Sequence, residues 1–355
     1  MRFKIGITGE GEVPSEFYSQ EGQELIFKLC QGPVLKKEIS AELLKIFKGA
    51  NALREDGEQC YLNFTCFLKE DIHFLNQKCG ELGEILAEKI KKETNNCLPL
   101  KFKFDEANEK KYLFFIAGCI CLDWHGLIIL EELDLIAGRN NLKKTGYGHY
   151  FLFANENGGN NIKELYWGSH NYKFGDFCFT TFGDHAGQRK AFPDLLNINN
   201  SNKIFMKIYS NMLQHYMPEV GRVLAKQSEP DELMLKILTE LKYIKDGQLN
   251  IPVVVYEDIK YIRQFMNILD KTIKSWLINN SGEFIKYFKE LTPIKSGVDF
   301  KEVLIQIWHY IFGHTNKHLS RNGYFFNPYS DESDFDGYLP VVHENKCDLL
   351  CFEQI

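Results

Sequence analysis

The sequence predicts an α+β protein in which one helix–turn–strand–helix unit occurs twice, around an aromatic-rich middle region that contains β-strands. Residues 62–75 and 249–262 have similar sequences, and amphipathic helical patterns surround both stretches. Between them, residues 145–182 have the composition of β-strands joined by Gly- and Asn-rich turns. These three observations place two copies of one unit in a single chain.

The first copy is defined by successive local patterns. Apolar residues recur at helical spacing over residues 19–30 and again over 35–47. An acidic Gly turn at 55–57 leads into an alternating apolar stretch at 62–66, which is typical of half a β-hairpin. A long amphipathic helix is predicted over 70–90, and its acidic first turn suits the helix dipole.

The second copy repeats these patterns in the same order. A helix, a Lys-Asp-Gly turn, a strand and a long exit helix follow one another. The shared order indicates an internal duplication. Five residues recur identically: Leu62, Asn63, Glu70, Asp71 and Ile72 in the first copy, and Leu249, Asn250, Glu257, Asp258 and Ile259 in the second.

A third, shorter similarity lies between the two copies. Residues 129–136 resemble 237–244 and precede a strand-like stretch, so a third unit is predicted at 127–157. The predicted domains are a first unit with its exit helix at 1–100, an aromatic-rich α/β middle at 101–225, a second unit at 226–292, and a C-terminal helix and hairpin at 293–355.

The composition is that of a folded protein with an acidic balance. Hydrophobic residues make up 44% and charged residues 25% of the chain, which excludes the disordered class. The formal net charge of -6 argues against a protein that coats nucleic acid, because coating depends on phosphate neutralisation. Any DNA contact is therefore expected to be local.

Three features predict a cytoplasmic bacterial protein without a membrane segment. Residues 1–17 contain no apolar stretch of signal-peptide length. The apolar stretch 112–122 is shorter than a bilayer requires, so it is interpreted as a buried strand or a core helix. The 10 cysteines are scattered, as expected for reduced thiols in the cytoplasm. The abundance of Asn, Lys and Ile is typical of an AT-rich bacterial genome.

The duplicated unit resembles the winged helix-turn-helix proteins among bacterial transcription regulators. In that family a pair of helices reads DNA, a β-hairpin forms the wing, and a long added helix often makes a dimer. The resemblance covers residues 19–93 and 230–280, and it implies recognition segments at 37–54 and 231–245. It implies a transcription regulator that binds double-stranded DNA as a homodimer. The implied DNA-binding residues are Lys45, Lys48, Arg54, Lys236, Lys242 and Lys245.

The predicted wings are acidic, in contrast to a typical DNA-binding wing. Glu55, Asp56 and Glu58 lie in the first wing and Asp246 lies in the second, where a phosphate group would otherwise be bound. Carboxylates repel phosphate, so an alternative function follows from the same fold. That alternative is a winged-helix protein-interaction or assembly subunit that does not bind DNA.

The middle region is locally basic and rich in aromatic residues. Residues 138–207 hold nine basic and five acidic side chains, interleaved with Tyr and Trp. Basic and aromatic side chains together can stack on nucleotides or line a pocket for a small-molecule effector. The candidate ligand-binding residues are Tyr150, Trp167, His170, His185 and Arg189.

The polar turns at 167–189 also contain residue types that an enzyme would use. Asp184 beside His185 can orient an imidazole for acid–base chemistry, and His170 lies nearby in the sequence. An enzyme that uses these three residues is the second alternative. No P-loop, G-x-G-x-x-G or G-x-S-x-G motif occurs in the sequence, so no cofactor is predicted.

Two groups of Cys and His have spacings that are compatible with metal binding. Cys119, Cys121 and His125 form the first, although the string is equally typical of a buried strand that ends at Asp123. The second group contains two pairs at four-residue spacing, which together can form a tetrahedral zinc site: His314, His318, Cys347 and Cys351.

Overall fold

The protein is α+β, as predicted, with long helices and several small sheets. Its computed structural model describes residues 2–95, 102–105, 107–138, 143–157, 165–166, 168–183, 216–331, 333–347 and 349. The chain forms two compact units. The first unit contains 1–82, 127–162 and 274–311, and the second contains 83–126, 163–273 and 312–355.

The helices begin where the sequence supplies a side-chain cap or an acidic first turn. Ser19, Ser40 and Asp231 each accept a hydrogen bond from a backbone N–H group three residues later. The helices are α1 (Gln20–Gln31), α2 (Ala41–Gly49), α3 (Lys69–Thr94), α4 (Glu109–Glu132), α5 (described over 216–224), α6 (Glu232–Glu240), α7 (Ile259–Phe288), α8 (Thr292–Lys295) and α9 (Phe300–Arg321).

Most of the strands are short, and the longer ones belong to the four-stranded sheet of each unit. They are β1 (Phe3–Gly11), β2 (Val34–Leu35), β3 (Leu53–Asp56), β4 (Gln59–Leu62), β5 (Thr65–Phe67), β6 (Lys143–Thr145), β7 (Gly148–Glu156), β8 (Ser169–Phe174), β9 (Phe177–Gly183), β10 (Ile244–Lys245), β11 (Gln248–Leu249), β12 (Val253–Val254) and β13 (Tyr338–Glu344).

Both units contain the same three-strand arrangement. In the first unit, β7 lies between the antiparallel strand β1 and the short parallel strand β5. In the second unit, β13 lies between the antiparallel strand β9 and the short parallel strand β12. In each case a long helix follows the short parallel strand, so the repetition extends beyond the stretch that the sequence comparison detects.

The turn before each repeated strand is closed by the recurring asparagine. Asn63 donates its side-chain amide to the carbonyl oxygen of Asn51 at 3.0 Å, and Asn250 donates to that of Lys242 at 2.9 Å. Asn51 and Lys242 both have a positive φ, of 55° and 63°. In both copies the side-chain amide of the asparagine thus closes a left-handed turn, so turn geometry accounts for the recurrence of Asn63 and Asn250.

The two hairpins differ in length, which conceals part of the duplication. Strands β3 and β4 have four residues each, whereas β10 and β11 have two each. The first copy is therefore longer between α2 and β5 than the second is between α6 and β12. A comparison without gaps aligns the strands and exit helices but misaligns the helices before them.

Buried carboxylates cap the N-termini of α3 and α7 in the same way. Asp71 accepts hydrogen bonds from the N–H groups of Leu68 at 2.9 Å and Thr292 at 3.0 Å. Asp258 accepts them from Val255 at 3.0 Å and Lys103 at 2.7 Å.

A second pair of buried carboxylates comes from the central strands. Glu156 at the end of β7 accepts a hydrogen bond from the N–H group of Lys69 at 3.1 Å. Glu344 at the end of β13 accepts one from the N–H group of Tyr256 at 2.9 Å. Both carboxylates lie where the helix dipole and free N–H groups favour negative charge, so each exit helix is tied to the sheet of its unit.

Each unit contains a segment from the other half of the chain. Residues 274–311 belong to the first unit and 83–126 belong to the second. The two segments are equivalent, because each starts within a long exit helix and ends within the next long helix, α4 in one case and α9 in the other. Each also contains a helix with the same N-cap geometry: Asn108 accepts from the N–H group of Lys110 at 2.8 Å, and Asp299 from that of Lys301 at 2.9 Å.

Helix α4 decides between the two interpretations of the apolar stretch 112–122 and corrects its expected length. The stretch belongs to a 24-residue helix, so the core-helix interpretation is confirmed and the strand interpretation is wrong, because apolar residues continue beyond Asp123 and His125. The helix is long and apolar enough to cross a bilayer, but 72% of its apolar window is buried within the protein. Such burial is typical of the core helix of a soluble protein.

Two further stretches differ from the sequence-based expectations. Residues 127–132 continue α4 and residues 143–156 form β6 and β7, so the predicted third unit at 127–157 is part of the first compact unit. In the tail, the described residues before β13 form turns held by Asn327 and Ser330, so β13 has β9 and β12 as partners instead of a hairpin strand.

Candidate nucleic-acid interface

Helix α2 buries one face and presents cations on the other. Leu43 and Phe47 are buried, and the Phe47 ring stacks on Phe17 with 4.0 Å between the ring centroids. This packing fixes the rotation of the helix, so Lys45 and Lys48 are exposed. The predicted cations of the first copy are thus available to a partner.

The hairpin after α2 carries both signs of charge. Arg54 on β3 is exposed, and its guanidinium carbon lies 4.9 Å from the Tyr61 ring centroid. Glu55 lies 2.9 Å from the Lys48 ammonium and 3.5 Å from that of Lys36. The hydrogen bond from Lys48 lowers the pKa of the Glu55 carboxyl. The acidic residue on this hairpin therefore offsets part of the charge on α2.

Helix α6 presents the corresponding surface in the second copy. Its buried residues are Met234 and Leu238, which leaves Lys236 exposed. Lys245 on β10 is also exposed and forms an ion pair with Asp334 at 2.8 Å. Lys242 follows α6 in the left-handed conformation.

Two cation positions recur in the two copies. Lys45 and Lys236 each lie five residues after the N-cap of their helix. Arg54 and Lys245 are each the second residue of the first hairpin strand. Lys242 has no cationic counterpart, because Asn51 occupies the equivalent turn position. The duplication thus repeats one helix cation and one hairpin cation.

The outer faces of the two helices differ in their apolar residues. Leu233 and Leu235 on α6 are 59% and 43% exposed. At the corresponding positions of α2, Glu42 is exposed and Leu44 is half-buried. The second copy therefore offers apolar side chains that the first does not.

The predicted ligand-binding residues divide between the two units. Tyr150 is 1% exposed and packs in the hydrophobic core of the first unit. His170 is half-buried on β8 in the second unit, with the Tyr172 ring centroid 6.5 Å away. Trp167, Asp184, His185 and Arg189 lie outside the described residues, so the predicted effector pocket and catalytic turns stay predictions.

Two of the four predicted zinc ligands near the C-terminus, His318 and Cys347, have other partners. Burial lowers the pKa of His314 to about 4. His318 lies 3.0 Å from the Glu88 carboxylate, and Cys347 donates to the carbonyl oxygen of Val254 at 3.8 Å. Cys351 lies outside the described residues.

A different group of metal-ligating side chains comes together around α4. Cys121, His125 and Asp270 form the one group of three such residues found within the described part of the chain. Cys119, named with the first two in the sequence, is buried and is not a member of the group. Sequence reasoning missed Asp270 because 145 positions separate it from His125.

The comparisons with known proteins add no assignment to this geometry. No family model, curated protein or solved structure shows a significant match to the chain.

Proposed function

We propose that the protein is a DNA-binding transcription regulator built on two winged-helix-type units. In the first unit, α1, β2, a 3₁₀ turn at Lys36–Glu38, α2 and the β3–β4 hairpin follow in the order of a winged helix, and β2 pairs with β4. The second copy retains α6 and the shorter β10–β11 hairpin. Helix α2 or α6 would enter the major groove, which admits an α-helix.

The recurrence of cations at equivalent positions is the observation that carries this proposal. Lys45 and Lys236 occupy the outer face of the helix, and Arg54 and Lys245 occupy the hairpin. In DNA-binding proteins, contacts from such positions reach base edges and phosphates respectively. Ordinary solvated lysines are also common on helices, so the repetition is more informative than any single cation.

The acidic balance of the chain limits the size of the interface. With a net charge of -6, the protein attracts DNA only where cations are concentrated. We therefore expect a small number of phosphate contacts, and correspondingly weak binding to DNA of arbitrary sequence.

A protein-assembly subunit without DNA binding is the second candidate. The exposure of Leu233 and Leu235 on α6 favours it, because apolar side chains on an outer helix face often contact another protein. The ion pairs of Lys48 with Glu55 and of Lys245 with Asp334 favour it as well.

The two candidates separate in a selection experiment with the full-length chain. We expect recurrent enrichment of related sequences from a random double-stranded DNA library at about 50 mM salt, and weaker enrichment at about 200 mM. Replacing Lys45 and Lys236 together by Ala should reduce affinity for the enriched sequence by about tenfold or more, because base contacts are lost. Lys286→Ala is the matched control. This exposed lysine lies on α7, outside both hairpins and the helices before them, and it forms an ion pair with Glu283. Enrichment of no sequence at either salt by a folded sample would exclude DNA binding and favour the assembly subunit.

A further inference from the structure

The middle of α4 brings two potential metal ligands close to a carboxylate of α7. The Cys121 Sγ, a ring nitrogen of His125 and a carboxylate oxygen of Asp270 all lie within 4.8 Å of one another. All three residues belong to the second compact unit. They differ from the residues assigned to DNA binding, so the site is independent of the proposed function.

The backbone of α4 is unusual at this place. Residues Phe114–His125 form a π-helical segment. π-Helical segments are rare in proteins, and those that do occur are often found at functional sites. Cys121 and His125 are four residues apart within this segment, which places both side chains toward α7. The indole N–H of Trp124 donates a hydrogen bond to the Ser169 hydroxyl at 3.3 Å. This bond holds the C-terminal part of the π-helical segment against β8.

One side of the group is closed and the other is open to solvent. Cys121 is fully buried, whereas the side chains of His125 and Asp270 are 23% and 28% exposed. The Nδ1 atom of His125 lies 2.9 Å from one carboxylate oxygen of Asp270 and 3.0 Å from the other. A buried sulfur ligand with two partly exposed nitrogen and oxygen ligands leaves room for a fourth ligand from solvent.

The Cys121 thiol lies in a buried environment beside a carboxylate. Burial, together with the negative charge of Asp270, raises the pKa of the Cys121 thiol well above its ordinary value. A thiol that coordinates a divalent cation loses its proton to solvent, so binding of the cation would act against this shift.

We propose that Cys121, His125 and Asp270 bind a divalent transition-metal cation of the zinc class, with a fourth position open to solvent. Thiolate sulfur, imidazole nitrogen and carboxylate oxygen are the ligand types that zinc takes in proteins. Zinc bonds of about 2.0–2.3 Å place tetrahedral ligands about 3.5 Å apart, so small side-chain rotations close the group around the ion. Three protein ligands and one open position form the arrangement that supports catalysis at zinc, whereas structural zinc sites have four protein ligands.

Cobalt substitution tests the site directly. The purified full-length protein, stripped of metal with a chelator, is titrated with Co²⁺ and then with Zn²⁺ as a competitor. We expect one Co²⁺ per chain, a thiolate-to-cobalt charge-transfer band in the near ultraviolet, and displacement of that band by Zn²⁺. Cys121→Ser should abolish the band, and Asp270→Asn should weaken Co²⁺ binding by about tenfold or more.

Cys178 provides the matched thiol control. It is another buried cysteine of the second unit, and burial raises the pKa of its thiol to about 11. The band should persist in Cys178→Ser. Persistence of the band in Cys121→Ser, or failure of the folded wild-type protein to bind Co²⁺, would overturn the proposal. If circular dichroism shows that Cys121→Ser is unfolded, the Co²⁺ affinities of Asp270→Asn and His125→Gln test the proposal instead. Unchanged Co²⁺ affinity in both variants would also overturn the proposal.

Discussion

Replacing Asp258 by Ala is expected to reduce the free energy of unfolding by about 2–4 kcal/mol, because two backbone N–H groups lose a charged acceptor. The side chain is 2% exposed, and burial raises the pKa of its carboxyl. The hydrogen bonds from Val255 and Lys103 act in the opposite direction and favour the carboxylate. The duplication predicts the same loss for Asp71→Ala, because Leu68 and Thr292 donate equivalent hydrogen bonds.

The neighbouring glutamates provide matched controls within each copy. Glu257 is exposed and forms a surface ion pair with Lys103 at 3.1 Å, and Glu70 is exposed as well. Glu257→Ala and Glu70→Ala should change the free energy of unfolding by about 0.5 kcal/mol or less. Urea denaturation of the four variants measures the difference. An Asp-to-Ala loss no larger than the Glu-to-Ala loss would show that these carboxylates do not hold the exit helices.

Acidification is expected to destabilise the protein through His343. Burial lowers the pKa of His343 from 6.5 to about 4. The unfolded chain takes up this proton as the pH falls through about 6.5, whereas the folded protein stays neutral until about pH 4. The contribution of His343 to stability is therefore present above pH 6.5, and about 3 kcal/mol is lost as the pH falls to 4.

A variant comparison isolates this contribution from the other titrating groups. His314 acts in the same direction, because burial lowers its pKa to about 4 as well. Asp123 acts in the opposite direction: burial raises its pKa from 3.8 to about 7, so its contribution to stability falls as the pH rises through this range. The unfolding free energy of His343→Gln should therefore depend on pH less steeply than that of the wild type, by about one proton between pH 5 and 6. His73→Gln, at an exposed position of α3, should leave the slope unchanged. Equal slopes for wild type and His343→Gln would contradict the burial of a neutral imidazole.

The sequence reveals the repeated element because its recurring residues satisfy local constraints. Asn63 and Asn250 close left-handed turns 12 and 8 residues earlier. Asp71 and Asp258 accept hydrogen bonds from N–H groups three residues earlier, at the start of their own helices. Constraints of this kind act over short distances along the chain. They therefore leave a pattern that a comparison of short stretches detects.

The remaining parts of the fold depend on contacts between distant residues. Glu156 accepts a hydrogen bond from an N–H group 87 positions earlier, and Glu344 accepts one from an N–H group 88 positions earlier. Asp270 joins the Cys121 and His125 group from 145 positions away from His125. Residues 83–126 belong to the second unit and residues 274–311 to the first, and no local sequence pattern shows this. Hydrophobic periodicity reports which face of a helix is buried but not which partner buries it.

The salt dependence of DNA binding tests the central claim most directly. The affinity of the full-length protein for its enriched sequence is measured between about 50 and 200 mM salt, for the wild type, Arg54→Ala and Lys286→Ala. We expect the logarithm of the affinity to fall linearly with the logarithm of the salt concentration, with a slope of about -0.9 per phosphate contacted. Arg54→Ala should reduce that slope by about one, because a hairpin cation no longer contacts phosphate, and Lys286→Ala should leave it unchanged. Binding whose affinity does not vary with salt, or an identical slope in Arg54→Ala, would contradict a DNA interface on the β3–β4 hairpin.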